Sequence, residues 1–297
     1  MREPLDLDLI RAALVTSGQP WQSVEYHPSL GSTNSRATEI VRSYAVTSGA
    51  TPPGALDVGY AAGLGPDGTP LWRVVLTDDQ TGGRGRLGRS WEVPPQASIA
   101  VTAVVPAPEP AAMGWVPLLA GVALARAITT VTRRAGAAVE PRLKWPNDVL
   151  VPSDGGRKVG GILCEFVPWD EGRRAVVVGT GVNVDQDREE LPVESATSLR
   201  VAGAAVRRED LIVAYLTELA AVLREPSARD EYRTWCATIG SHVRVHLPAG
   251  GTAEGTALRV DDSGALVLGV GGGEQSFSAG DVVHVRPGSR SAGMIGP

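Results

Sequence analysis

Along the first fifty residues apolar side chains recur at Leu5, Leu9, Ala12 and Ala13. That spacing predicts a short helix over 5–17, stopped by Gly18 and Pro20. Ser32, Thr33 and Asn34 supply capping side chains ahead of a second helix over 35–44. The apolar runs 71–76 and 97–105 read as strands, and they flank a segment rich in glycine and arginine. Pro117 opens a helix that reaches Arg134, where two terminal arginines suit the helix dipole and Gly136 provides the stop. Strand-like runs follow at 149–151, 161–167 and 174–179. Between 209 and 224, Leu211, Ile212, Tyr215, Leu216, Leu219 and Leu223 share one side of an amphipathic helix. Both main helices lie between β segments, which predicts an α+β fold with helices packed on a mixed sheet.

The texture changes near Gly240, where short alternating strands separated by turns take over. In His242-Val-Arg-Val-His-Leu247, valine and leucine alternate with polar side chains, the period of a half-buried strand. About fifty residues of this kind predict a small β-barrel appended to a larger domain. The expected division is 1–238 for the large domain, 239–287 for the barrel and 288–297 for a disordered tail. The Gly/Pro-rich stretch 48–70 reads as a loop or long hairpin tip.

Composition narrows the function classes. With 43% hydrophobic residues and a net charge of -5, the chain reads as a soluble core-former and not as a nucleic-acid binder relying on bulk charge. Cys164 and Cys236 have no partner at ligand spacing, so neither a zinc site nor a disulfide framework is expected, and a reducing cytosol is the natural setting. His27, His242, His246 and His284 form no motif. Arg2, Glu3, Asp6 and Asp8 occupy the place of a signal peptide's apolar run, and Arg126 interrupts an apolar helix already too short to span a bilayer.

Charge distribution points to chemistry. Only two of the 28 cationic side chains are lysine, Lys144 and Lys158, both within one short segment. Where arginine is the default, a lysine suggests a site that needs a compact, mobile ammonium. Lys158 also precedes Val-Gly-Gly, where missing side chains let backbone approach a ligand. The second segment runs from Gly83 to Trp91, with Arg84, Arg86 and Arg89 interleaved among the glycines. Gly83, Gly85 and Gly88 match a dinucleotide fingerprint on paper, but Gly88 opens no helix, so that reading fails. An anion-cradling loop fits better: glycine frees the backbone N–H groups and guanidinium forks grip phosphate oxygens. Such a loop repels itself when empty, which predicts order only with a bound anion. A basic surface hairpin is the bland alternative.

The ordered set STN (32–34), GRGRLGRSW (83–91), KWPND (144–148) and GRKVGGIL (156–163) resembles the biotin–protein ligases, over roughly residues 20–286. The resemblance implies a class II aminoacyl-tRNA synthetase/biotin ligase-like catalytic domain with an SH3-like C-terminal barrel. It implies a two-step reaction: ATP and biotin give biotinyl-5′-AMP and pyrophosphate, then biotin passes to one lysine of a biotin carboxyl carrier domain. By position it assigns Ser32, Thr33, Asn34, Gln80, Arg84, Gly85, Arg86, Lys158, Gly160 and Gly161 to biotin. Arg84, Arg86, Arg89, Trp91, Lys144, Asn147 and Asn183 go to ATP or the adenylate, and Asp148 to Mg²⁺. Lys158 and Arg86 become the catalytic pair, Lys158 lying between the biotin carboxylate and the α-phosphate. Many relatives carry an N-terminal DNA-binding domain, but only about 30 residues precede STN here, so no DNA role is expected. A cytoplasmic enzyme without membrane association follows. The rival readings are a lipoate–protein ligase, which shares the adenylation logic, and a non-catalytic sensor of biotinyl-adenylate.

Overall fold

The computed structural model describes residues 2–47, 71–170, 173–248 and 250–284. The calls on 48–70 and on the tail after 287 lie outside these residues. The chain runs through helix α1 (Leu7–Leu14), strand β1 (Ser23–His27), helix α2 (Thr33–Thr47) and strand β2 (Arg73–Thr77). A short ribbon of β3 (Gly83–Arg84) and β4 (Ser90–Trp91) follows, then β5 (Ser98–Pro106) and helix α3 (Val116–Arg134). Next come β6 (Arg142–Lys144), β7 (Asp148–Val151), β8 (Arg157–Asp170) and β9 (Arg173–Asn183), then helices α4 (Arg208–Val222) and α5 (Ala228–Trp235). The last strands are β10 (His242–His246), β11 (Thr252–Val260), β12 (Leu266–Val270), β13 (Gly273–Phe277) and β14 (Asp281–His284).

Seven strands form the main sheet in the order β1-β2-β5-β9-β8-β7-β6. Only β1 and β2 pair parallel; the other neighbours are antiparallel. Alternation decides what each face meets. Val75, Val104, Ala175 and Val177 turn toward Ala37 and Val41 of α2. Val74, Ala103, Val105, Val176 and Val178 turn the other way into the larger core with α3 and α4. The helical stretch Pro110–Arg134 is, contrary to expectation, long and apolar enough to cross a membrane, but 67% of its apolar part is buried inside the protein, the condition of a core helix. Arg126, which interrupts that run, serves as the polar joint of three helices. Its guanidinium meets Glu225 at 2.9 Å, Glu218 at 3.4 Å and Glu231.

The C-terminal strands form a sheet in the order β13-β12-β11-β10-β14. No strand pairing closes it among the described residues, β13 and β14 standing at its two edges, so a small β-sheet is shown where a barrel was expected. Part of its apolar surface is spent on the rest of the protein instead: Val243, Val245, Leu266, Leu268 and Val282 join one core cluster with Trp115 and Trp145. Two indoles fasten the joint. Trp115 Nε1 donates to Asp262 O at 2.8 Å, and Trp145 Nε1 donates to Gly264 O at 3.1 Å. Trp115 also packs edge-on against Tyr232, with Arg229 and Arg233 over its ring at 5.3 and 5.0 Å. Replacing Trp115 by phenylalanine keeps a ring but loses that donor and part of the fill. Urea unfolding should show a loss of about 1–2 kcal/mol; an unchanged midpoint would mean the indole does not couple the two sheets.

Candidate functional site

Where β9 leaves the shelter of α2, its valines give way to glycines. Ala175 and Val177 pack under α2, and the next residues on the same face are Gly179 and Gly181. A Cβ on Gly179 would collide with the side chain of Asn34, and one on Gly181 would sit 2.7 Å from the Trp91 ring. The missing side chains open a cleft on the α2 face of the sheet. Its walls come from Ser32–Asn34, Gln80, the 84–91 turn, Asn147–Asp148, Lys158, Gly161–Leu163 and Gly179–Gly181, with Asp281 reaching in from the C-terminal sheet.

One wall is a closed polar network at the start of α2. Thr33 N–H and Oγ1 both donate to Gln80 Oε1, at 3.0 and 3.1 Å. Thr102 Oγ1 lies 2.8 Å from both Thr33 Oγ1 and Asn34 Oδ1. Asn34 Nδ2 donates to Leu163 O at 3.1 Å and to Glu165 at 3.0 Å. Ser32 Oγ caps the helix by accepting from Ser35 N–H at 3.4 Å. Of the expected capping triplet only Ser32 caps, since the helix already begins at Thr33, and all three residues line the cleft.

The opposite wall is the arginine turn. Gly83 pairs with Trp91 and Arg84 with Ser90, while Leu87 and Gly88 adopt left-handed backbone at φ 57° and 73°. Beyond the turn the chain returns to Asp78, where Gln96 N–H donates to Asp78 O at 2.8 Å. Asp78 itself is buried against Arg208 at 2.5 Å, with Tyr26 Oη at 2.7 Å. Burial, reinforced by that carboxylate, pushes the Tyr26 hydroxyl up to about 12. The mutual repulsion expected of an empty loop is relieved from within the protein. Arg84 meets Glu165 at 3.0 Å, Arg86 donates to Gly280 O at 3.1 Å, and Arg89 pairs with Asp281. Burial lowers the pKa of Arg86, whose guanidinium lacks a directly bonded carboxylate among the described residues.

Lys158 stands between the two walls. Its backbone is fixed on both sides: β7 pairs with it at Leu150, and the 195–197 segment pairs through Lys158 N–H to Ser195 O at 2.9 Å and Thr197 N–H to Lys158 O at 2.8 Å. Its Nζ lies 2.5 Å from Asp148 Oδ1 and 5.6 Å from the Trp91 ring centroid. The absent Cβ of Gly161 would lie 2.9 Å from that Nζ. Trp91 Nε1 is buried without a protein acceptor among the described residues, which leaves a donor beside the ammonium.

Three of the residues expected at the site lie elsewhere. Gly160 faces α3, where a Cβ would meet Leu124 and Val182, because the pleat that turns Gly161 into the cleft turns its neighbour out. Asn183 is 3% exposed and its amide is used at both ends, donating to Thr197 O at 2.9 Å and accepting from Gln186 at 3.0 Å. Lys144 does not line the cleft and touches it only through Asp148 Oδ2 at 3.8 Å. Sequence reading missed Ser90, Ile162, Leu163, Gly179, Thr180, Gly181 and Asp281. The alternation of Gly179 and Gly181 in a valine-rich strand was the available signal for the slot floor.

Comparison with known proteins now bears on this geometry. Residues 68–183 match the Biotin/lipoate A/B protein ligase family and residues 238–285 the Biotin protein ligase C terminal domain. The biotin–[acetyl-CoA-carboxylase] ligase of Mycobacterium tuberculosis is 35% identical over 96% of this chain and 98% of its own length. The chain belongs to the biotin protein ligase family. It is accordingly a ligase that joins biotin to protein. The bifunctional ligase/repressor BirA of Bacillus subtilis is 28% identical over 88% of this chain and 74% of its own. The biotin protein ligase of Aquifex aeolicus, solved in complex with biotin and ATP, shares the fold. Its TM-score is 0.65 at 22% identity, over 90% of this chain and all of that one.

Proposed function

We propose that the cleft carries out both half-reactions, activation of biotin by ATP and transfer to a carrier lysine. The observation that carries this reading is the convergence on one cleft of segments far apart in sequence: the Ser32–Asn34 cap, the Arg84–Trp91 turn and Lys158. A bicyclic urea presents donors and acceptors on an apolar body, which suits hydroxyl and amide groups above a glycine floor. With its head-group toward Ser32, Thr33, Asn34 and Gln80, biotin extends its carboxylate toward Lys158. That carboxylate is already ionised and needs no base. It attacks the α-phosphorus of ATP and pyrophosphate leaves. Charge accumulates where Lys158 and Arg86 can meet it, and fixed cations stabilise the transition state more than the ground state. Arg84, Arg89, Trp91 and Asn147 then enclose the adenylate. In the second step the carrier amine attacks the mixed-anhydride carbonyl and AMP departs.

Among the described residues no three metal-ligating side chains converge. Asp148 fits one contact to a Mg²⁺ ion that arrives on the nucleotide phosphates, which would neutralise part of their charge. We assign residues 1–238 to catalysis and 239–287 to an accessory domain, the acceptor to a carboxylase carrier domain and the setting to the cytoplasm. The test is direct. Incubation with ATP, Mg²⁺, biotin and a biotin carrier domain should label the carrier, and lipoate should not replace biotin. Lipoate-dependent labelling would instead favour the lipoate–protein ligases. Adenylate formed without labelling would favour a sensor.

A further inference from the structure

The C-terminal sheet contributes a side chain to the cleft that nothing in the two-step chemistry calls for. Asp281 opens β14, where His246 of β10 is its registered partner. The residue before it is wedged in place: a Cβ on Gly280 would collide with Val245 Cγ1 and come within 3.8 Å of the Trp145 ring. These two consecutive residues grip two arginines of the opposite wall, Gly280 O accepting from Arg86 at 3.1 Å and the Asp281 carboxylate pairing with Arg89. The left-handed pair Leu87–Gly88 makes this possible, because it folds the turn so that Arg89 N–H reaches Arg86 O at 3.3 Å. Arg86 and Arg89 thereby approach the same corner of the C-terminal sheet. Two like charges held this close need a counter-anion before any phosphate arrives.

We propose that Asp281 is a positioning residue for the arginine turn: its ion pair with Arg89 holds the turn over the cleft, so that retention of biotinyl-adenylate depends on the C-terminal sheet. The inference rests on the reading that this turn encloses the adenylate. It gives the C-terminal sheet a defined part in the reaction through one carboxylate. The corner at Gly280 is fixed by packing on Trp145 of the KWPND segment, so the tether is referenced to the same element that carries Asp148.

The test is the release rate of pre-formed biotinyl-adenylate, measured on the full chain in a double-mutant cycle. Asp281→Asn should speed release about fivefold, the ceiling for an exposed ion pair. Arg89→Gln, which also loses its own contact with the adenylate, should speed release at least as much, and the double variant should be no faster than Arg89→Gln alone. Asp281→Glu, which keeps the carboxylate, should stay within about twofold of the parent. If Asp281→Asn folds poorly, Asp281→Ser removes the same charge and should give the same faster release. Unchanged release in the single variants, additive effects in the double, or Asp281→Glu behaving like Asp281→Asn would overturn the proposal. Arg86→Ala separates the two levels. Faster release there with no effect at Asp281 removes only the tether, whereas unchanged release in Arg86→Ala removes the enclosing role of the turn as well.

Discussion

Lys158→Arg should lower the rate of biotin-dependent pyrophosphate release by about a thousandfold while leaving the fold intact. Charge is conserved in this substitution, so the loss must come from shape. Lys158 Nζ occupies a point 2.5 Å from Asp148 Oδ1, where the bare backbone of Gly161 leaves room for it. A guanidinium is planar, larger, and best satisfied by two parallel contacts to one carboxylate. Asp148 offers such a carboxylate, and arginine there would lock onto it in bidentate fashion. It would then be held away from the point where the biotin carboxylate meets the α-phosphorus. An ammonium can leave one carboxylate for another by a small rotation of its flexible stem. Misplaced electrostatic stabilisation of this kind costs about 4 kcal/mol, which is the thousandfold. Unfolding should be unchanged, since the residue is partly exposed and its pairing with Asp148 is retained. A loss below tenfold would remove Lys158 from the centre of the reaction.

The elements that the sequence made legible are those with a dominant periodic face. Helices α3 and α4 and the strands on either side of the arginine turn fall within a few residues of their expected positions, because each buries a long apolar stripe. Strand β1 was invisible because only Val24 among its five residues is buried. Helix α5 was missed for the opposite reason: it is mostly charged and buries only Ala228 and Tyr232. The open C-terminal sheet could not be foreseen from alternation, which fixes the faces of a strand but not whether the sheet closes.

The site shows the same division. Charged and capping residues were readable because arginines among glycines, or a lone lysine before two glycines, have few structural uses. Parity was not readable: Gly160 and Gly161 are equivalent in a motif and opposite in a strand. Asn183 resembles a ligand residue in sequence, yet both ends of its amide are spent on the turn that follows β9. Asp281 lies 192 residues from Arg89, and no local pattern could pair them.

Gly179→Ala is expected to raise the KM for biotin about a hundredfold or more with little change in the KM for ATP. The added methyl would fall on the Asn34 amide, with Cγ only 2.7 Å and Nδ2 3.0 Å away. Asn34 has nowhere to go, since it is 5% exposed and held by Thr102, Leu163 O and Glu165. Either the amide is expelled, taking its contacts from the Leu163 carbonyl and Glu165 and leaving Thr102 with Thr33 alone, or β9 shifts and narrows the slot floor. Leaving buried polar groups unpaired costs about 1–3 kcal/mol each, so the two lost contacts account for the expected loss of affinity. Gly31→Ala, at a position where a Cβ meets nothing within 4 Å, is the matching control and should behave as the parent. The effect should follow the head-group and not the phosphates, because Arg84, Arg86 and Lys158 lie on the other walls of the cleft. Steady-state kinetics with each substrate varied in turn reads the split. Equal damage to both KM values would mean that Gly179 supports the whole cleft and not its biotin end.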